Sequence, residues 1–280
     1  MLKVALTHDV DRTQKHYQYF TNLISSFLKG DINGTLYHIG SLFGKEPYWN
    51  FPEIIRIERE MGVKSTFFFL DETIPFNLFD RKNWALSVGR YRINNKKIEN
   101  VIRWLDQNGW EIGVHGSYNS YKDEDLLKKE KENIENIVGH KIIGTRQHYL
   151  NLSDNTWNIH RNLGFKYDST WGYTEGFGIR EGKILPYKPF SDFFVEFPLT
   201  IMDIPFMEVK DRWEKYEQVV ETVEKNDGIL VFNWHQRVYK EKEFPGYRSS
   251  YVRIIEDCKK RNAKFRTLGE FYDEIVKGDS

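Results

Sequence analysis

The first apolar run of the chain, "KVALTHDVDRT" (residues 3–13), ends in His8, Asp9 and Asp11. Other apolar runs end in groups that are equally costly to bury: His115, Arg146 and His148, Asp168, Asp203, and His235. Each has a plain structural reading. Asp11 can cap a helix that starts at Arg12, the histidines can be hydrogen-bonded wall residues, and Arg146 can pair with a carboxylate. Gathered at one rim, however, they are expensive to desolvate unless they pair or hold a cation. A histidine, a carboxylate and one further N or O ligand leave open positions for water and substrate, the arrangement of catalytic zinc sites. "VHGSYN" places His115 and Asn119 four residues apart. With Asp11 they make a three-ligand set, and Asp9 is left beside the ion as a general base.

These groups need a scaffold that brings many strand ends together. Apolar, β-branched runs recur at 3–9, 64–70, 111–117, 142–149, 165–170, 193–203, 228–235 and 264–268. Helical spacing of apolar positions fills 51–61, 97–108, 124–138, 154–163, 212–225, 249–261 and 268–276. Gly or Asn ends several of these helical segments, as in "EMGVK" and "RNLGFK". Strand and helix alternating in this way predict an α/β fold with a mostly parallel sheet, closed into a barrel whose chemistry lies at the C-terminal strand ends. One domain over 1–280 is expected, with an insertion at about 12–50 and a long ordered loop at 171–192. The insertion carries Tyr17, Phe20, Ile24, Phe27 and Leu28 at helical spacing. It is expected to pack on the outer helices of the barrel. The alternative has it folding over the mouth, with Tyr37, Tyr48 or Trp49 reaching inward. A membrane-surface helix ranks third, with only Lys15 and Lys29 as flanking cations.

Composition removes several classes of function. Lys+Arg and Asp+Glu are 41 each, so there is no basic excess for a nucleic-acid groove. No run of ~18 apolar residues spans a membrane. The N-terminus reads directly as a strand rather than a signal peptide, and the single cysteine, Cys258, fits a reducing cytoplasm. Aromatic residues make up 16% of the chain, a surplus that suits a sugar ligand. The oligomeric state is not legible.

In order and strand position, "THDVD", "HGSYN", "TRQHY" and "LVFNWH" resemble the motifs of polysaccharide deacetylases, the NodB-homology group. The resemblance runs from Lys3 to about Val276. It implies a distorted (β/α) barrel of seven to eight strands and metal-assisted removal of acetyl groups, N-acetyl ahead of O-acetyl, from a sugar or glycan precursor. It further implies one divalent ion, zinc by preference, on Asp11, His115 and Asn119. By the same resemblance Asp9 is the base, Arg146 its orienting arginine and His235 the general acid. Two departures stand out: Asn119 replaces the second metal histidine, and "RQH" replaces the usual approach to a proline. His148 is therefore the alternative nitrogen ligand. Asp168 is the first choice for the acid that tunes His235, with Asp203 close behind.

The implied reaction has Asp9 taking a proton from water, with backbone N–H groups of Ser117 or Tyr118 as oxyanion donors. His235 protonates the departing amine or hydroxyl. Tyr149, Trp171 and Trp234 are candidates to stack on sugar faces. Two other readings compete: a small-amide hydrolase of the same fold, and a glycan-binding barrel that has lost turnover.

Overall fold

The computed structural model describes residues 1–278. Its strands are β1 (Lys3–Val10), β2 (Ser65–Leu70), β3 (Glu111–Gly116), β4 (Gly144–Gln147), β5 (Tyr167–Asp168), β6 (Val195–Glu196), β7 (Ile201–Met202), β8 (Ile229–Asn233) and β9 (Lys264–Phe265). Two helices follow β1: α1 (Gln18–Leu28) and α2 (Ile32–Ser41). The rest are α3 (Phe51–Glu60), α4 (Arg81–Ser87), α5 (Lys96–Gln107), α6 (Glu124–Val138), α7 (Thr156–Asn162), α8 (Asp203–Glu208), α9 (Arg212–Lys225), α10 (Tyr247–Lys260) and α11 (Leu268–Gly278).

The sheet runs β6-β5-β4-β3-β2-β1-β8-β7, with β9 added beside the start of β1, and every ladder between these strands is parallel. Strands covered on both faces read as continuous apolar runs rather than alternating ones; "STFFFL" of β2 is buried at every position. The single strand expected over 193–203 is two short ones. Pro198 has no N–H to donate, and the run from Phe197 to Thr200 crosses from one end of the sheet to the other. Phe197 N–H donates to Asp168 O, Leu199 N–H to Trp171 O and Thr200 N–H to Val231 O. That crossing curls the sheet into a distorted barrel.

The two faces of the sheet carry separate apolar clusters. The larger one packs the strands against the surrounding helices. The smaller one joins Ala5, Phe68, Tyr167 and Val231 to Leu268 and Phe271 of α11. Leu268 N–H bonds Thr66 Oγ1 and Gly269 N–H bonds Glu111 Oε2, so α11 plugs the end where the strands begin. The other end, where the strands finish, holds the polar groups.

The insertion departs from expectation. α1 and α2 form a hairpin that turns through Gly30 in the left-handed conformation. Phe20, Ile24, Phe27 and Leu28 do not cover the outer helices of the barrel; they are exposed. The polar side holds the hairpin down. The Lys15 ammonium lies 2.7 Å from Glu243 with both side chains fully buried, and Asn22 Nδ2 donates to the same carboxylate. Among the described residues, no helix is long and apolar enough to cross a membrane.

Candidate active site

The pleat of β1 sorts the opening motif onto two faces. His8 faces the helices, where its ring nitrogens meet Trp234 O and Glu58 Oε1. Thr7 and Asp9 face the barrel interior, where the Arg146 guanidinium bonds both: Thr7 Oγ1 at 2.7 Å and Asp9 Oδ1 at 3.0 Å. Arg146 also donates to the Ser169 carbonyl and hydroxyl, which fixes the orientation of the fork. Asn233, beside Thr7 in the β1–β8 register, donates to Asp9 Oδ2 at 2.7 Å and accepts from the Asp9 N–H. Burial pushes the Asp9 carboxyl up, but His115, Arg146 and His235 together outweigh it and hold the group below its ordinary range.

His115 lies one ladder step from Arg146, near the end of β3, and its Nδ1 donates to the Arg146 carbonyl. That contact turns Nε2 toward the aspartates, 3.4 Å from Asp11 Oδ1 and 3.7 Å from Asp9 Oδ2. His148 follows β4 in a tight turn whose next two residues, Tyr149 and Leu150, are both left-handed at φ 58° and 53°. Consecutive non-glycine residues in that region are costly and cluster at functional sites. The turn brings His148 Nε2 to 3.9 Å from Asp11 Oδ1. One ligand atom from each of Asp11, His115 and His148 lies within 4.8 Å of the other two. Burial pushes the His148 imidazole well below its ordinary value, which keeps it neutral and its lone pair free.

Asn119 is elsewhere. β3 ends at Gly116, and the chain turns at Tyr118 and Asn119. The N–H groups of Ser117 and Tyr118 bond Glu130 and Glu72, and Asn119 then lines a surface hollow with Lys122 to Asp125. Asn119 is not among the residues that line the cleft, whereas His148 lies beside Asp11. The same two bonds engage the N–H groups expected to serve as oxyanion donors.

His235 stands just beyond β8. Its partner is Asp203, at the start of α8, and not Asp168. Asp203 Oδ1 is 2.8 Å from His235 Nδ1, and Oδ2 accepts the His235 N–H at 2.7 Å. Burial lowers the imidazole pKa, but the carboxylates of Asp203 and Asp11 outweigh it and the net shift is upward. Asp168 instead accepts from Thr170 and Trp157, beside buried Glu196. Arg237, two residues past His235, binds Asp11 Oδ2 at 2.7 Å. Burial raises the Asp11 carboxyl; Arg237 and His235 lead the groups that outweigh it and hold it well below the usual range.

These side chains meet in a cleft of about 430 Å³ at the C-terminal mouth, lined in part by Asp9, Asp11, His115, His148, Tyr149 and His235. Tyr17, Gln18, Asn22 and Tyr48 from the insertion line it too, so the insertion walls the cleft. Trp171 and Trp234 do not line it. Trp171 packs between Trp157 and Arg180, and Trp234 is fully buried against Phe206 and Tyr251. Sequence reasoning missed Asn233 and Arg237. Their only signal was position, two residues on either side of His235.

Fold and cleft together define a polysaccharide-deacetylase type of barrel. Residues 95–239, just over half of the chain, match the family model of WbmS-like polysaccharide deacetylases, and the chain belongs to that family. Among solved structures, it resembles a protein from Mycobacterium smegmatis described as a polysaccharide deacetylase, with a TM-score of 0.63 at 17% identity over 99% of this chain and 91% of that one. A Puue allantoinase reaches a TM-score of 0.63 at 14% identity, over 97% and 89% of the two chains. A Pseudomonas aeruginosa PAO1 protein described as a polysaccharide deacetylase reaches 0.61 at 13%, over 97% and 90%. No curated protein matches the chain.

Proposed function

We propose that the protein is a metal-dependent hydrolase that removes acetyl groups, N-acetyl by preference, from a sugar or glycan precursor. One observation carries the reading: a fixed carboxylate, a three-ligand cluster and a carboxylate-braced histidine share a single cleft. Asp11 links them, with His115 Nε2 at 3.4 Å on one oxygen and His235 Nε2 at 3.6 Å on the other. The donors fit an ion. Asp11 Oδ1 is buried without a hydrogen-bond partner among the described residues, a cost that a cation would remove. One carboxylate oxygen and two imidazole nitrogens suit zinc with open positions left for substrate. When bound, such an ion lowers the pKa of a water and polarises the acetyl carbonyl.

The other roles belong to side chains of the chain. Asp9, kept ionised and aimed by Arg146 and Asn233, accepts the proton of the attacking water. His235, charged and held by Asp203, delivers a proton to the leaving nitrogen as the amide bond breaks. Tyr149, half exposed at the rim, offers a face to the sugar.

The test is turnover of acetylated sugars by Asp9→Asn. Metal content should be unchanged and the rate lower by about 10²-fold or more, the usual scale for losing a general base. Wild-type metal-loaded protein that binds such sugars without turnover would make the chain a glycan-binding barrel. Turnover confined to amides without a sugar would make it a small-amide hydrolase.

A further inference from the structure

The α1–α2 hairpin is built inside out. Its polar side chains turn toward the protein: Asn22 reaches buried Glu243, and His38 Nδ1 accepts from the Lys15 ammonium at 3.0 Å. Its apolar side chains turn toward solvent: Phe20, Ile24 and Phe27 on α1, Ile32 and Leu36 on α2, and Phe43, 89% exposed, just beyond. With their exposed neighbours they present on the order of 1,000 Å² of apolar surface, well above the few hundred Å² of the largest patch on a typical monomer. From Gln18 to Gly44 only Lys29 and Asp31, at the tip, are charged, in a chain where 29% of residues are. A second apolar projection, with Phe76, Leu78 and the 94% exposed Phe79, precedes α4.

Both projections lead into the same wall of the cleft. Tyr17 and Gln18 at the base of the hairpin and Ala85 of α4 line it. So do Arg12 and Arg90. The Arg12 guanidinium lies 5.4 Å from the Tyr17 ring and bonds the Ala85 and Val88 carbonyls. Arg90 bonds the Leu86, Ala85 and Asp11 carbonyls. Among the described residues, both guanidiniums bond backbone carbonyls and neither bonds a carboxylate. Paired guanidiniums of this kind suit a phosphate. Along these contacts the order is apolar projections, two guanidiniums, then Asp11. A sugar carried on a lipid phosphate has the same order: apolar chain, phosphate, sugar.

We propose that the protein works at a bilayer surface on an acetylated glycan carried by a lipid phosphate. The hairpin and residues 76–79 sit in the headgroup–acyl boundary, and Arg12 and Arg90 take the carrier phosphate. The sugar part of this proposal rests on the deacetylase reading; the docking part does not. A second copy of the chain on these faces would give Arg12 and Arg90 no part to play. A bilayer seated there supplies the substrate.

Flotation of the full-length protein with phosphatidylcholine–phosphatidylglycerol vesicles tests the docking. The wild type should rise with the vesicles. Phe27→Ser/Leu36→Ser/Phe79→Ser should stay behind, folded by circular dichroism, while hydrolysing a water-soluble acetylated sugar at the wild-type rate. Hexyl phosphate, titrated by calorimetry, tests the arginines, and Arg90→Gln should weaken its binding by about tenfold to a hundredfold. Wild-type protein that remains unbound beside vesicles overturns the proposal, as does flotation that the triple variant leaves intact. A dimer by light scattering that the triple variant dissociates assigns the apolar faces to a second copy instead. Hexyl phosphate binding indifferent to Arg90→Gln removes the lipid phosphate. If no acetylated sugar is hydrolysed but flotation behaves as expected, the deacetylase reading fails and the membrane surface stands.

Discussion

His148→Ala separates the proposed ligand set, Asp11, His115 and His148, from the one expected from the sequence, Asp11, His115 and Asn119. His148 supplies one of three ligand atoms that lie within 4.8 Å of one another. Structural zinc sites bind with about 10–16 kcal/mol over four ligands, so one ligand is worth about 3–4 kcal/mol, or about 10²–10³-fold in affinity. At a free metal concentration about 100-fold above Kd, the ion stabilises the folded wild type by about 2.7 kcal/mol. The variant at the same concentration should keep less than about 0.5 kcal/mol of that. For a protein of this size the difference of roughly 2 kcal/mol is about 4–8 °C in Tm. The assay is the rise in Tm between chelator and metal. It cancels the packing cost of removing a buried imidazole, which is present in both conditions. Asn119→Ala, outside the cleft, should leave the rise unchanged. A full rise in His148→Ala together with its loss in Asn119→Ala would refute the ligand assignment.

Three further outcomes follow from the same geometry. Arg146→Met leaves Asp9 buried without its ion pair and should cost about 3–5 kcal/mol in urea unfolding, the scale for breaking a buried pair from one side. Asp203→Asn should lower turnover by about 10²-fold or more, whereas Asp168→Asn, which does not touch His235, should leave the rate of the folded enzyme near wild type. Glu130 is a buried carboxyl whose pKa burial raises to about 8. Between its unfolded value near 4.5 and about 8, the folded state holds a proton that the unfolded chain has lost. Stability therefore falls as pH rises across that window, by up to about 1.4 kcal/mol per unit from this group. Glu130→Gln should flatten that fall, so its Tm advantage over the wild type should grow from pH 5 to pH 8.

Most of the barrel was legible because its signals are local. The apolar runs that became β1, β2, β3 and β8, and the helical spacings that became α3, α5, α6, α9 and α10, carry periodicity and end signals within themselves. The break at Pro198 was legible too, had its missing N–H been weighed against the apolar run around it. Legibility failed where partners come from distant segments. Asp168 and Asp203 both end apolar runs, and only the crossing from β6 to β7 decides which of them reaches His235. Asn119 reads as a ligand only if the turn after β3 carries it back to His115, and where that turn points is not written in the spacing; Asn119 lines a surface hollow. His148 reaches the cleft through two left-handed residues, a conformation that Tyr149 and Leu150 do not announce. The hairpin misled for a different reason. Its apolar spacing reads as a face that covers protein, and nothing in periodicity says toward which side that face turns.

The central claim is that this cleft hydrolyses the acetyl group of a sugar with a bound metal. Acetate and free amine measured together, on zinc-loaded protein against a panel of N-acetylated sugars and a ureide, test it most directly. One acetate and one amine should form per sugar turned over, with loss of both in chelator and recovery on adding zinc. Metal-loaded protein that releases neither from any sugar, or that opens only the ureide, would contradict it.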